Sequence, residues 1–208
     1  MNSDTRRPYR MTARAAAVGE TREGILDAVV ALHLSRLSAD ISLADIATEA
    51  GVSVQTVLRH FGNRAALVDH ALSFAQDAVV ERRRTPVGDV AAAVRTIVEH
   101  YEQDGDRVLL MLAQEATEPL MARITTQGRR LHRDWVSEVF EPYLLATGGR
   151  DEVVDLLVVA TDVYAWKLLR RDRRLGRTET EDRMTDLVRA VLDHYPAGHR
   201  QDTEETSG

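Results

Sequence analysis

Apolar residues recur every three or four positions along most of the chain, which is the spacing of an amphipathic α-helix. No stretch keeps the apolar–polar alternation of a half-buried strand for long. The clearest apolar stripes are Ile25, Leu26, Val29, Val30 and Leu37 near the beginning, and Met184, Leu187, Val188, Val191 and Leu192 near the end. The pattern predicts an all-α protein of about nine helices.

Polar and glycine residues mark the expected helix ends in the first third of the chain. The expected N-caps of the first four helices are Thr21, Ser42, Ser53 and Asn63, and the expected stops are Gly51 and Gly62. Ser42 and Asp45 have the spacing of a capping box, with Asp in place of the usual Glu. Gly51 suits a tight turn because glycine adopts the left-handed conformation without strain.

The rest of the chain predicts longer helices at about 88–103, 105–116, 119–146, 152–171 and 179–195. Pro142 should kink the third of these or end it early, because proline lacks the backbone N–H. Asp104 and Asp106 flank Gly105 as in part of a calcium loop, but the residues that follow are apolar. A helix cap is therefore the better interpretation of this group, and no metal site is predicted.

Charge divides the chain unevenly. Residues 1–70 hold eight Arg and eight acidic residues, whereas the remainder holds 19 basic and 25 acidic ones and so carries the whole net charge of −6. Arg6, Arg7, Arg10 and Arg14 form a basic arm that either follows DNA phosphates or is a solvated tail. The predicted organisation is a disordered basic arm over 1–19, a DNA-binding domain over 20–66, a helical regulatory and dimerisation domain over 67–196, and a disordered tail over 197–208.

The stretch "ISLADIATEAGVSVQTVLRHF", residues 41–61, has the layout of a helix-turn-helix. Ile46, Val52 and Val57 are spaced to fill the gap between two short helices that meet at Gly51. The second helix of this motif enters the DNA major groove with its N-terminal end first. A helical hairpin with a solvated polar face would show the same spacing.

The predicted DNA contacts combine base-reading and phosphate-binding side chains. Gln55 can pair with an adenine edge and Arg59 with a guanine edge. Ser53, Thr56 and His60 can bind phosphates. The complete predicted set is Arg22, Ser42, Ser53, Val54, Gln55, Thr56, Arg59, His60 and Arg64.

The segment "TREGILDAVVALHLSRLSADISLADIATEAGVSVQTVLRHFGNRAALV", residues 21–68, resembles the TetR/AcrR family of transcriptional regulators. "YEQDGDRVLLMLAQE", "GRRLHRDWV" and "YAWKLLRRD" extend the resemblance to an actinobacterial-type C-terminal domain. It implies a three-helix DNA-binding domain, a helical body with a ligand pocket, and a homodimer. Leu58 stands where the family usually has a Tyr that touches a phosphate. Arg64 stands where it often has Lys, and so keeps a cation at a helix N-terminus.

The penultimate helix is apolar on nearly all sides, and the last helix has a clean apolar stripe. Two such helices that pair with their symmetry mates would form a four-helix dimer interface. A thick monomeric core is the alternative. The predicted interface residues are Val159, Val163, Met184, Leu187, Val188 and Val191.

A ligand pocket is expected in the body from the resemblance, with aromatic walls and few polar groups. The candidate residues are Phe74, Tyr101, Met111, Gln114, Trp135, Tyr164 and Trp166, although side chains of this kind are more often plain core than ligand contacts. The sequence has no G-x-S-x-G, no H-E-x-x-H and no Gly-rich phosphate loop, so no enzyme and no cofactor is predicted.

We therefore expect a homodimeric DNA-binding transcriptional regulator, a repressor released from a palindromic operator by an unknown small-molecule effector. The alternative is an all-α small-ligand carrier or enzyme that has lost DNA binding. No run of 18 apolar residues and no Cys occur, so we expect a cytoplasmic protein without a membrane partner.

Overall fold

The computed structural model describes residues 6–35, 41–144 and 150–195. These residues form α-helices and one π-helical turn, with no β-strand among them, so the all-α prediction is confirmed. The chain divides into two compact units between Ala78 and Val79, which we call unit 1 and unit 2. The predicted boundary between residues 66 and 67 lies inside the fourth helix, before this division. Leu37 and the predicted tail 197–208 lie outside the described residues.

The part of unit 1 that the structure describes forms four helices: α1 (Arg6–Ser35), α2 (Leu43–Glu49), α3 (Val54–Phe61) and α4 (Arg64–Arg82), the last of which ends in unit 2. Their apolar faces meet in one small core. Its buried residues are Ile25, Leu26, Val29, Leu32, Ile41, Ile46, Ala47, Val57, Phe61, Leu67 and Ala71. The core therefore fixes α3 through its inner face and leaves the outer face available.

The first helix corrects two expectations. Residues 6–19, predicted as a disordered arm, lie in α1, which begins at Arg6. Thr21, predicted as an N-cap, is inside this helix, and its hydroxyl donates to the carbonyl oxygen of Ala17 at 2.8 Å. The physical reason is the Ala-rich stretch "TARAAA", because Ala has the highest helix propensity. Pro8 does not prevent this, since the first helical turn tolerates proline.

The described residues of unit 2 form six further helices: α5 (Val90–Gln114), α6 (Pro119–Val139), α7 (Glu141–Leu144), α8 (Arg150–Ala160), α9 (Val163–Lys167) and α10 (Arg177–His194). A π-helical turn, Leu168–Asp172, continues α9. Helix α5 packs against α6 and α10, and α8 packs against the same two helices. Trp166, Phe140, Leu157, Met184 and Val188 are among the fully buried side chains of their shared core.

Four predicted helices of the body have different ends in the structure. The expected break at Gly105 is absent, because α5 runs through it and Trp166 packs against the side-chain-free glycine. The expected helix 152–171 is interrupted at Asp162, whose carboxylate accepts from the backbone N–H of Tyr164 at 2.8 Å and caps α9. Helix α6 ends at Val139 and Pro142 lies in the short α7, so the early end expected from this proline is confirmed.

Candidate nucleic-acid interface

The turn between α2 and α3 is tight and depends on one glycine. Gly51 has a φ of +66°, a conformation that side chains with a Cβ rarely adopt. The N–H of Val52 donates to the carbonyl oxygen of Ala47 at 2.9 Å, which closes the turn. Ile46 and Val57 are fully buried on either side of it. The predicted helix-turn-helix geometry is therefore present.

The start of each short helix is fixed by a serine cap. Ser42 and Asp45 form the predicted capping box at α2, in which the N–H of Ser42 donates to the carboxylate at 2.8 Å. The Ser53 hydroxyl oxygen accepts from the N–H of Thr56 at 3.1 Å, and the two hydroxyls are hydrogen-bonded at 2.9 Å. These caps orient α3, and they also occupy part of the bonding capacity of three residues predicted as DNA contacts.

Helix α3 has two contrasting faces. Val57 and Phe61 point into the core of unit 1, whereas Gln55, Leu58 and Arg59 are exposed. Val54 is also exposed, and Thr56 and His60 are half-buried. Neither Gln55 nor Arg59 makes a hydrogen bond or ion pair within the described residues. Gln55 and Arg59, which can each make two hydrogen bonds to one base, thus project from a helix whose opposite face is packed in the core.

Two further predicted contacts are cations that the fold holds in place. The guanidinium of Arg22 lies 5.2 Å from the centre of the Phe61 ring and bonds the Nδ1 atom of His70 at 3.2 Å. The Nη2 atom of Arg64 donates to the carbonyl oxygen of Ile41 at 2.8 Å. Arg64 is thus partly engaged inside the protein, and Arg22 is pre-oriented beside the buried end of α3.

The seven predicted ligand residues are not gathered around one cavity. Tyr101, Trp135 and Trp166 are buried in the core of unit 2, and each donates a hydrogen bond within it. Phe74 packs on the core of unit 1, and Tyr164 is exposed. Met111 and Gln114 are half-buried on α5. The aromatic pattern identified core residues, because the same side chains suit a core and a ligand pocket.

A buried polar cluster in unit 2 escaped the sequence analysis. It consists of Arg83, His100, His132 and Thr161, which are at most 8% exposed. Burial first, and the charge of Arg83 next, lower the pKa of both imidazoles to about 3. Burial likewise lowers the pKa of the Arg83 guanidinium from its usual value. We call these four residues the Arg83 cluster. The helical periodicity of the sequence does not distinguish these four residues from surface residues.

The predicted dimer residues fall into two groups. Val163, Met184 and Val188 are buried in the core of unit 2, so they are not part of the surface that the chain exposes. They face the other helices of their own chain, which the sequence could not reveal. Val159 and Leu187 are 66% and 46% exposed, and Val191 is half-buried. Leu156 of α8 adds a further exposed apolar side chain.

The described ranges contain neither a metal-binding cluster nor a membrane-spanning helix. Within them, no group of three or more His, Cys, Asp or Glu side chains is placed to hold a metal ion. No helix within these ranges has the length and apolar character needed to cross a membrane.

A protein-family model matches the N-terminal unit, and several solved structures match the fold. Residues 25–71 match the family model described as "Bacterial regulatory proteins, tetR family". This range includes the whole of α2 and α3, the last part of α1 and the first part of α4. No curated protein sequence matches the chain.

Three solved structures share the fold. A transcriptional regulator from Rhodococcus sp. Rha1 has a TM-score of 0.60 and 19% identity, over 84% of this chain and 97% of that one. A protein named as a putative TetR-family transcriptional regulator from Rhodococcus sp. has a TM-score of 0.59 and 17% identity. The match covers 83% of this chain and 99% of that one. A third structure, named as a putative TetR-family transcriptional regulator from Mesorhizobium loti MAFF303099, has a TM-score of 0.58 and 18% identity. The match covers 86% of this chain and 98% of that one. The helix-turn-helix unit of this chain is thus similar to the tetR family of bacterial regulatory proteins over residues 25–71, and the chain shares its fold with these three solved structures.

Proposed function

We propose that this protein is a homodimeric transcriptional repressor that reads a palindromic operator with α3 of each protomer. The observation that carries the proposal is the exposed face of α3, where Gln55 and Arg59 have no hydrogen-bond partner within the described residues. Such side chains read adenine and guanine edges in the major groove. The predicted arginines Arg22 and Arg64 lie in the same unit and add charge for the phosphates.

The dimer is supported by apolar side chains that unit 2 leaves uncovered. Leu156 and Val159 on α8 and Leu187 on α10 are exposed, and α8 packs against α10. Exposed apolar groups on adjacent helices mark interaction surfaces. A twofold pairing of these helices would present two copies of α3, and two half-sites give the specificity that one short helix lacks.

Release by a small molecule is supported by the continuity of α4. This helix begins at Arg64, separated by two residues from Phe61 at the end of α3, and it runs to Arg82 in unit 2. A ligand that prefers one position of α4 would shift the population of binding-competent dimers. Such a ligand lowers operator affinity only to the extent that its own affinity differs between the two positions of α4.

The test is selection of bound duplexes from a random DNA pool by the full chain, followed by gel-shift titration at increasing salt. The expected result is an inverted-repeat site whose affinity falls linearly on a log–log plot against salt. A reporter gene placed behind the selected site should be silenced by the protein. Recovery of no preferred sequence even at low salt would overturn the proposal and favour an all-α ligand carrier or enzyme.

A further inference from the structure

We propose that Val54 and Leu58, on the outer side of α3, contact thymine methyl groups in the operator. They specify thymine beside the bases proposed for Gln55 and Arg59. The inference rests on the proposed function, and it names a further base that the same helix recognises. We call Val54 and Leu58 the α3 apolar pair.

The α3 apolar pair forms a row beside the polar row of the same helix. Val54 and Leu58 are four residues apart, so they lie along one side of α3. Gln55 and Arg59 have the same spacing and form the second row. Each residue of a helix is turned by about 100° from the one before it, so the two rows adjoin. A DNA groove that receives the polar row therefore also meets the apolar row.

The fold of unit 1 does not cover the α3 apolar pair. Val54 is 37% exposed and Leu58 is 38% exposed. Neither belongs to the core of unit 1 or to the partly buried apolar residues that pack on it. Single exposed apolar residues are common on protein surfaces. Two of them on one short helix, next to two polar side chains without a partner in the described residues, indicate a contact surface.

The chemistry of the two side chains restricts what they can recognise. Val and Leu have no polar side-chain atom, so they bind neither a phosphate oxygen nor the donors and acceptors of a base edge. The apolar group that distinguishes the bases in the major groove is the C5 methyl of thymine. Packing on an apolar side chain removes this methyl from water, which is favourable. The α3 apolar pair therefore suits thymine.

The surroundings of the pair favour DNA over a second protein as the occupant. Helix α3 contains Arg59 and no acidic residue. The guanidinium of Arg22 lies 5.2 Å from the ring centre of Phe61, the last residue of the same helix. This charge complements a polyanion. A protein–protein interface buries about 800 Å² on each partner around an apolar centre, and two side chains do not provide that area.

The spacing of the pair limits where the thymines stand in the operator. Val54 and Leu58 are one helical turn apart, which is about 6 Å along the helix axis. Neighbouring base pairs are separated by about 3.4 Å. The two side chains therefore reach at most about three neighbouring base pairs. The expected half-site has one or two methyl-sensitive thymines close together.

The test uses the operator selected by the full chain, with each thymine of a half-site replaced in turn by uracil in both half-sites. Uracil lacks only the methyl and keeps the base pairing and the O4 acceptor. Fluorescence anisotropy at one salt concentration measures the affinity. We expect one or two thymines to lose about fourfold per methyl, or roughly fifteenfold when both half-sites are changed. The other thymines should show no effect.

Two variants assign the methyl contact to side chains. Leu58→Ala and Val54→Ala should each weaken binding to the thymine operator. Each should also remove the preference for thymine over uracil at one sensitive position, because the side chain that packs on the methyl is gone. Leu110→Ala is the matched control: Leu110 is 57% exposed but lies on α5 in unit 2, so this variant should keep the full preference. A thymine preference that is unchanged in both α3 variants overturns the proposal.

A second measurement on the unaltered protein covers the case in which the variants do not fold. The T·A pair at a sensitive position is replaced by C·G, with and without a methyl on C5 of the cytosine. The methylated cytosine returns the methyl to the same place in the groove. We expect it to bind about fourfold more tightly than cytosine for each half-site. No gain from the methyl overturns the proposal.

The outcomes separate this inference from the proposed function. A selected operator without thymine, or one in which uracil binds as tightly as thymine at every position, overturns the inference and leaves the proposed function standing. A Leu58→Ala protein that sediments as a monomer where the parent is a dimer assigns the pair to a second copy of the chain, which also overturns it. Recovery of no preferred sequence overturns the proposed function, and this inference with it, before any uracil is introduced.

Discussion

The burial of single polar residues in this protein cannot be recognised from sequence patterns. Arg82, Arg83 and Arg84 are consecutive and look alike in the sequence, yet Arg83 alone of the three is buried. Helical periodicity could not select it, because α4 ends at Arg82. His132 stands among Arg129, Arg130 and Arg133, a context that suggests a surface residue, but it is 6% exposed. Burial of a polar group depends on the elements that pack around it.

The buried imidazoles predict loss of stability in acid. His100 and His132 have native pKa values of about 3, against an ordinary value of 6.5. The unfolded chain therefore binds more protons between these limits, and the free energy of unfolding rises with pH across that window. Stability should fall as pH drops from about 6.5 toward 3, by up to about 1.4 kcal/mol per pH unit for each imidazole.

Urea unfolding followed at several pH values across that window checks this expectation. His132→Asn should reduce the pH dependence by about half, because one of the two buried imidazoles is gone. His194→Asn is the control, since His194 is exposed and should leave the dependence unchanged. A parent protein whose stability is flat across the window contradicts the prediction.

The outward side chains of α3 predict the sequence preference. Gln55→Ala and Arg59→Ala should each relax preference at one base pair, by about 1–3 kcal/mol, if each side chain makes a bidentate contact. Sequencing of DNA selected by each variant measures the change. Ser73→Ala on α4, exposed and neutral, is the control. Preferences identical to the parent's in both α3 variants would remove these residues from base reading.

At the scale of elements, local chemistry was predictable and packing was not. The caps at Ser42, Ser53 and Asn63 and the turn at Gly51 are present as expected, because each depends on a few adjacent residues. The continuity of α5 was missed because the ring that fills the space beside Gly105 comes from far along the chain. Asp162 was missed as a break because its apolar neighbours continue the helical pattern on both sides.

Helix α5 makes a close contact that only glycine permits. A Cβ on Gly105 would lie 2.6 Å from the buried Trp166 ring, and the core leaves that ring little freedom. Gly105→Ala should therefore destabilise the protein by about 1–3 kcal/mol, despite the gain in helix propensity. Denaturant unfolding measures the change.

Gly128 provides the matched control inside α6. A Cβ there would meet nothing within 4 Å, so Gly128→Ala keeps only the propensity gain and should stabilise by up to about 1 kcal/mol. Equal effects of the two substitutions would show that the contact with Trp166 is not limiting.

At the scale of the whole molecule, the sequence could not assign each apolar side chain to its own core or to a partner. Met184 and Val188 share a stripe with Leu187, yet the first two are fully buried and the third is exposed. Because unit 2 buries Met184 and Val188 itself, it should fold without a second copy. Leu156, Val159 and Leu187 then remain as the surface that a dimer would cover.

This separation between core and surface predicts how the assembly can be broken. Val159→Glu combined with Leu187→Glu places charges where the proposed dimer is dry, and an unpaired charge in a dry interface costs several kcal/mol. The double variant should sediment as a monomer. Its far-ultraviolet circular dichroism should match the parent's, since neither side chain contributes to the buried core.

Operator affinity should fall with the dimer, because a monomer presents a single α3 and loses the second half-site. Val87→Glu is the control: Val87 is exposed in unit 2 on the segment before α5, and its substitution should leave both the dimer and operator binding intact. If the double variant still sediments as a dimer, the protomers pair through another surface. If it is monomeric yet binds the operator as tightly as the parent, a single α3 suffices, and the palindromic reading is wrong.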